Sequence, residues 1–242
     1  KAPVMAPSYQ GTPNATIPPV KAALALAAVL TASAGAFTFS PNSPQEGGED
    51  GISAHDGKGT IYTVYNLFDG RNSSIQVNRI MNGGLAWTVE HADGTREKAA
   101  AAAVDEEGNL YIAGERTYYK EKYMFLMKYS PSGAFIREVA DNADGCRASA
   151  VTVDKEGWVT MGGMCKYPRS RPARLVKYDA DLNYYWTAEY DRGGRNYLRS
   201  LSADARGTLF SVIETISGDM GDGVYRTVTA LYSPEGRLEE ER

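Results

Sequence analysis

The chain has 242 residues, 43% apolar and 23% charged, with 25 Gly, 11 Pro and a formal net charge of −4. Apolar content on this scale excludes general disorder, and mild acidity gives no electrostatic reason to expect nucleic acid as a partner. Two Cys cannot build a disulfide-dense scaffold or a four-thiolate zinc site, and two His, His55 and His91, leave ordinary hydrolase or metal chemistry short of parts.

Residues 1–20 hold Pro3, Pro7, Pro13, Pro18 and Pro19 without apolar periodicity and read as an extended arm. Residues 21–40 follow as a hydrophobic segment. From Ala22 to Phe39 run 18 residues without a charge, carrying Leu24, Leu26, Val29, Leu30, Phe37 and Phe39. As a helix this run would be about 27 Å long, close to the thickness of a bilayer core. Ala32-Ser33-Ala34 resembles a cleavage site for a targeting segment, so two readings stand side by side. The expectation adopted is a single-span membrane anchor, with Lys1 and Lys21 before it and only acids just after it. That asymmetry puts the rest of the chain on the non-cytoplasmic side. Residues 41–50, with Glu46, Glu49 and Asp50, form an acidic linker.

Residues 51–242 repeat themselves four times. Asp56-Gly-Lys-Gly59, Asp105-Glu-Glu-Gly108, Asp154-Lys-Glu-Gly157 and Asp204-Ala-Arg-Gly207 each precede an apolar run, at spacings of 49, 49 and 50 residues. A second apolar run, a turn and a third apolar patch follow each of them. Four short strands in about 49 residues is the period of a propeller blade. In Leu110-Tyr-Ile-Ala113 both parities are apolar, as expected of a sheet stacked between two others. The expected fold is therefore all-β, a four-bladed β-propeller with a proline-rich arm and a single hydrophobic helix; an open array of the same blades is the alternative.

The runs Asp105 to Gly114 with Lys128-Tyr129, and Asp154 to Gly163 with Lys177-Tyr178 and Trp186, resemble bacterial β-propeller repeat proteins of the SBBP type. Arg79-Ile80 and Leu231-Tyr232 depart from the family's Lys-Tyr in the first and fourth blades. The resemblance implies a blade architecture and an extracytoplasmic setting, and it brings no catalytic residues.

In such a blade the a–b and c–d turns share one face, while the b–c loops and d–a connections share the other. The second face carries the segments expected to be long and irregular, and so the binding surface. Lys166, Arg169, Arg171 and Arg174 make a basic loop there, and Asp219 and Asp222 an acidic one. Tyr118, Tyr119, Tyr123, Tyr167 and Tyr225 are candidate anchors. The Asp-x-x-Gly strings lack the alternate ligands of a calcium loop and read as type I turns.

If Val153 opposes Trp158 across the third such turn, antiparallel register pairs positions summing to 311, and Cys146 and Cys165 sum to 311. A disulfide between them is expected, and with it an oxidising compartment.

Together these readings predict a non-enzymatic, membrane-anchored accessory subunit. Its partners would be membrane protein subunits and lipid, photosynthetic and respiratory complexes both being candidate hosts. No cofactor, catalytic residue, metal ligand or small-molecule substrate is identified. An extracytoplasmic propeller enzyme or glycan-binding protein, with its site at the channel mouth, is the competing reading.

Overall fold

The computed structural model describes residues 51–70, 73–218 and 223–242. The proline-rich arm, the segment carrying Leu24, Leu26, Val29, Leu30, Phe37 and Phe39, the acidic linker, and Asp219 and Asp222 lie outside the described residues. The described residues form strands and no helix, so none is long and apolar enough to cross a membrane. This corrects the expected fold: the single hydrophobic helix has no place in the architecture described, which is all-β.

Sixteen strands make four antiparallel sheets, each a simple meander. Sheet 1 contains β1 (Ile52–His55), β2 (Thr60–Phe68), β3 (Ser73–Met81) and β4 (Gly84–His91). Sheet 2 contains β5 (Arg96–Val104), β6 (Leu110–Tyr118), β7 (Glu121–Tyr129) and β8 (Phe135–Ala140). Sheet 3 contains β9 (Cys146–Val153), β10 (Val159–Cys165), β11 (Ala173–Tyr178) and β12 (Tyr184–Tyr190). Sheet 4 contains β13 (Arg195–Ala203), β14 (Leu209–Ser217), β15 (Val224–Tyr232) and β16 (Leu238–Glu241).

Each sheet is one sequence repeat, and the Asp-x-x-Gly strings are its first turn. The Asp carboxylate accepts amides two and four residues on, from Glu107 and Asn109 at Asp105 (3.0 and 2.8 Å) and from Glu156 and Trp158 at Asp154 (3.0 and 2.9 Å). Asp56 and Asp204 make the same pair of bonds. These carboxylate oxygens are spent on holding the chain reversal.

The first strands of sheets 2, 3 and 4 carry a bulge at the same place, at Ala100, Ser149 and Arg199. Opposite the first two stand Gly114 and Gly163. A Cβ on Gly163 would lie 1.7 Å from the Arg147 carbonyl oxygen, and one on Gly114 2.1 Å from that of Lys98. Glycine ends the repeat motif there because the bulged strand presses its backbone into that space.

Neighbouring sheets stack through three apolar cores, one per joint. Tyr62, Val64, Ile75 and Val77 meet Leu110, Ile112, Phe125 and Met127; Tyr111, Met124 and Leu126 meet Val151, Val159 and Met161; Leu175 and Trp186 meet Leu198, Leu209 and Ile213. A polar lock repeats beside each core. Arg79 and Trp87 donate to the Pro131 carbonyl (2.7 and 3.0 Å), and Lys128 and Arg137 to those of Ala180 and Asp181 (2.8 and 2.7 Å). Trp186 and Lys177 donate to that of Pro234 (2.7 and 3.4 Å). Each strand-three cation also lies over an aromatic ring: Arg79 over Tyr62, Lys128 over Tyr111 and Lys177 over Trp158.

Sheet 4 breaks this pattern. Its register places Leu231 and Glu240 in the row where earlier sheets put a cation and a donor. Sheet 1 in turn has only the two-residue Asn82–Gly83 hairpin where the other sheets offer an accepting turn carbonyl. Among the described residues no apolar core or comparable packing joins sheet 4 to sheet 1. The blades thus stand in a propeller-like row with three built joints.

Candidate functional site

One end of the four sheets gathers the β2–β3, β6–β7, β10–β11 and β14–β15 connections and the links between sheets. Sequence reasoning treats these as irregular loops, which holds for Lys166 to Pro172 and not for the β6–β7 connection. Around Tyr118 the strands run on, with Tyr118 opposite Glu121, so that only Tyr119 and Lys120 make the turn. The register extends to Phe68 and Ser73 in sheet 1 and to Ser217 and Val224 in sheet 4.

The strand extensions carry aromatic tips into solvent. Phe68 is 67% exposed, Tyr118 56%, Tyr119 87% and Tyr225 67%. Tyr118 and Tyr119 touch edge to face, with ring centroids 4.6 Å apart. Tyr167 differs: it is half-buried, and its hydroxyl donates to Glu189 at 2.8 Å. Burial and that bond push its pKa up to about 12.

The basic loop does not act as one patch. Arg169 is exposed, and Arg171 is half-buried with its carbonyl accepting the Asn196 amide at 2.9 Å. Arg174 turns inward: its guanidinium donates to Asp141 at 2.6 and 3.1 Å and to Glu189 at 2.7 Å. Asp141 is buried, so this cation is committed to the joint between sheets 2 and 3.

Cys146 and Cys165 form the expected disulfide, buried at the base of this loop. The pairing that predicts it is wrong in one step and compensated in another. Val153 opposes Val159 rather than Trp158, a sum of 312, and the bulge at Ser149 lowers the sum by one, so that Cys165 faces Cys146. The bond points to a non-cytoplasmic location.

A charged cluster at the joint of sheets 1 and 2 is absent from the sequence reading. His91 ends β4, Asp93 follows it, Glu97 lies on β5, Arg116 on β6 and Glu138 on β8. His91 Nε2 stands 3.4 Å from Glu97 and 3.9 Å from Glu138. Arg116 bonds Glu97 through Nε (2.7 Å), reaches Asp93 at 3.3 Å and also pairs with Glu138. His91, Asp93, Glu97 and Glu138 each offer one ligand atom within 4.8 Å of the others, the spacing of a cation site. The guanidinium of Arg116 supplies the positive charge among them. Burial, then the neighbouring Glu97, pushes the Glu138 carboxyl up to about 7.

No family model matches the chain, and no curated protein matches it. Solved structures similar to it include that of a DUF4221 family member from Bacteroides vulgatus, 10% identical, with 86% of this chain and 80% of that one covered and a TM-score of 0.40. A likeness that low carries no argument about fold or function.

Proposed function

We propose that the protein is a non-catalytic binding module that works outside the cytoplasm and takes its partner on the face bearing the β2–β3, β6–β7 and β14–β15 hairpins. The observation that carries this reading is the set of solvent-facing rings at or next to the ends of these strands, Phe68, Tyr118, Tyr119 and Tyr225. Large rings held in water by extended strands are an association surface in search of an apolar counterpart. The charged groups beside them are engaged within the chain, Arg174 with Asp141 and Glu189, and Arg116 with Glu97 and Glu138. They serve the joints of the scaffold that presents the rings. The disulfide at the foot of the third loop supports the extracytoplasmic setting.

The test compares the intact chain with a variant in which Phe68, Tyr118, Tyr119 and Tyr225 are each replaced by Ser. Both are immobilised and exposed to the extracytoplasmic fraction of the native host. Specific capture by the intact chain, lost in the variant while Leu85→Ser and Tyr184→Ser on the opposite rim leave it unchanged, is the expected result. Equal capture by all forms would refute the assignment of the face.

A further inference from the structure

The β6–β7 hairpin ends in a pair of exposed rings. Tyr118, Tyr119, Lys120, Glu121 and Tyr123 line an open hollow of about 600 Å³ at its tip. Tyr118 and Tyr119 stand at an interplanar angle of 81°, forming an apolar corner of two perpendicular rings. Below them on the same face of the hairpin, register places Tyr118 beside Glu121 and Tyr123 beside Arg116. The Tyr123 hydroxyl donates to the Glu121 carboxylate, which also pushes its pKa up to about 12.

Tyr119 holds this corner in an unfavourable backbone conformation. Its φ is +55°, the left-handed region that a two-residue hairpin ordinarily fills with Gly or Asn. The chain follows that rule in the first sheet, where Asn82 and Gly83 take φ of +51° and +77°. At the β6–β7 tip it places a tyrosine there instead, 87% exposed, where the ring contributes no core packing. Strain retained for a solvent-facing ring is the mark of a contact made with something else.

We propose that this corner is a carbohydrate-binding site for a neutral pyranose oligosaccharide. The C–H face of a pyranose is flat and apolar and stacks on an exposed aromatic ring, and two rings at right angles take the face of one sugar and the edge of the next. Glu121 accepts from sugar hydroxyls through its remaining lone pairs, Lys120 donates to them, and the Tyr123 oxygen, its proton given to Glu121, accepts. Lys120 and Glu121 carry opposite charges, so the site has no net charge to favour an acidic sugar. The proposal rests on the loop face being the binding face and names one ligand class for one part of it.

The experiment is calorimetric titration of the full chain with cellohexaose and with chitohexaose to millimolar concentration. Binding of either, weakened about tenfold by Tyr118→Ala and by Tyr119→Gly but kept by Tyr118→Phe, is the expected result. Tyr119→Gly suits the backbone, so its melting temperature should equal or exceed that of the intact chain, which separates lost binding from lost folding. Failure of both sugars to bind, or binding unchanged in Tyr119→Gly, would overturn the proposal. So would Tyr119-dependent binding to phosphatidylcholine vesicles without sugar binding. Capture of a protein partner that is lost in Phe68→Ser with Tyr225→Ser, without any sugar binding, would overturn the sugar site and leave the loop-face reading standing.

Discussion

Glu138 should make the joint between sheets 1 and 2 weaken as pH rises. Its carboxyl is largely buried beside Glu97, and burial first, then Glu97, raises its pKa from 4.5 to about 7. A raised folded-state value means that the folded protein holds a proton which the unfolded chain has released. The associated stability is complete below about pH 4.5 and is lost as pH rises through about 7. A shift of that size corresponds to at most about 3 kcal/mol. Arg116, Asp93, His91 and Tyr129 face the same cluster, and Arg116 opposes the shift. Glu138→Gln keeps the shape and the neutral form. Urea unfolding between about pH 5.5 and 8 should show intact protein losing about 1–3 kcal/mol across the window while the variant stays nearly flat and is the more stable at the upper end. Hydrogen exchange should locate the difference in β4, β5 and β8. A variant less stable than the intact chain at the upper end, with no slope in either protein, would refute the reasoning: attraction between Arg116 and an ionised Glu138 would then outweigh the cost of burying the carboxylate.

Replacing Cys146 and Cys165 by Ser should lower stability by about 3 kcal/mol, read by urea unfolding, since the bond closes a loop of 19 residues; thiol labelling of the unreduced, denatured intact chain should find none. Arg174→Met takes the cation from buried Asp141 and exposed Glu189 and should destabilise by about 3 kcal/mol, whereas Arg169→Ser should change the melting curve very little. Gly163→Ala drives a methyl into the Arg147 carbonyl and should destabilise by on the order of 3 kcal/mol, visible as a drop in melting temperature, while Gly193→Ala, with open space around it, should lose only the about 1 kcal/mol that a left-handed backbone costs a side chain.

The blades are legible because the Asp-x-x-Gly turn performs one local task, capping two amides, and so recurs as a fixed string. The Cys146–Cys165 pair is legible as well, although only because an error of one at the turn cancels against a bulge whose one local sign is the motif glycine Gly163 facing it. The lack of a fourth joint among the described residues leaves a signal: the Lys of Lys-Tyr is the donor to the next blade, and Leu231 stands in its place. Without the register, that departure looks like mere divergence. The cluster around Arg116 leaves no signal, because His91, Glu97, Arg116 and Glu138 lie on four strands of two sheets with no common spacing. Tyr118 and Tyr119 are legible as candidates, but their setting is not. Glu, Arg, Lys and Thr around them suppress the apolar pattern, so a regular hairpin that extends beyond the core reads as loop.

Three joints between four blades also set how the molecule comes apart. In a ring every blade is gripped on both sides, and removing one breaks two contacts at once. Here, among the described residues, sheets 2 and 3 are gripped twice and sheets 1 and 4 once. The outer blades can therefore melt singly while the inner pair persists, with the cluster around Arg116 governing release of the first. The rings of Phe68 and Tyr225 ride on those outer blades, and those of Tyr118 and Tyr119 on an inner one. Heat or denaturant should accordingly strip the face of its flanking tips before its central corner is lost.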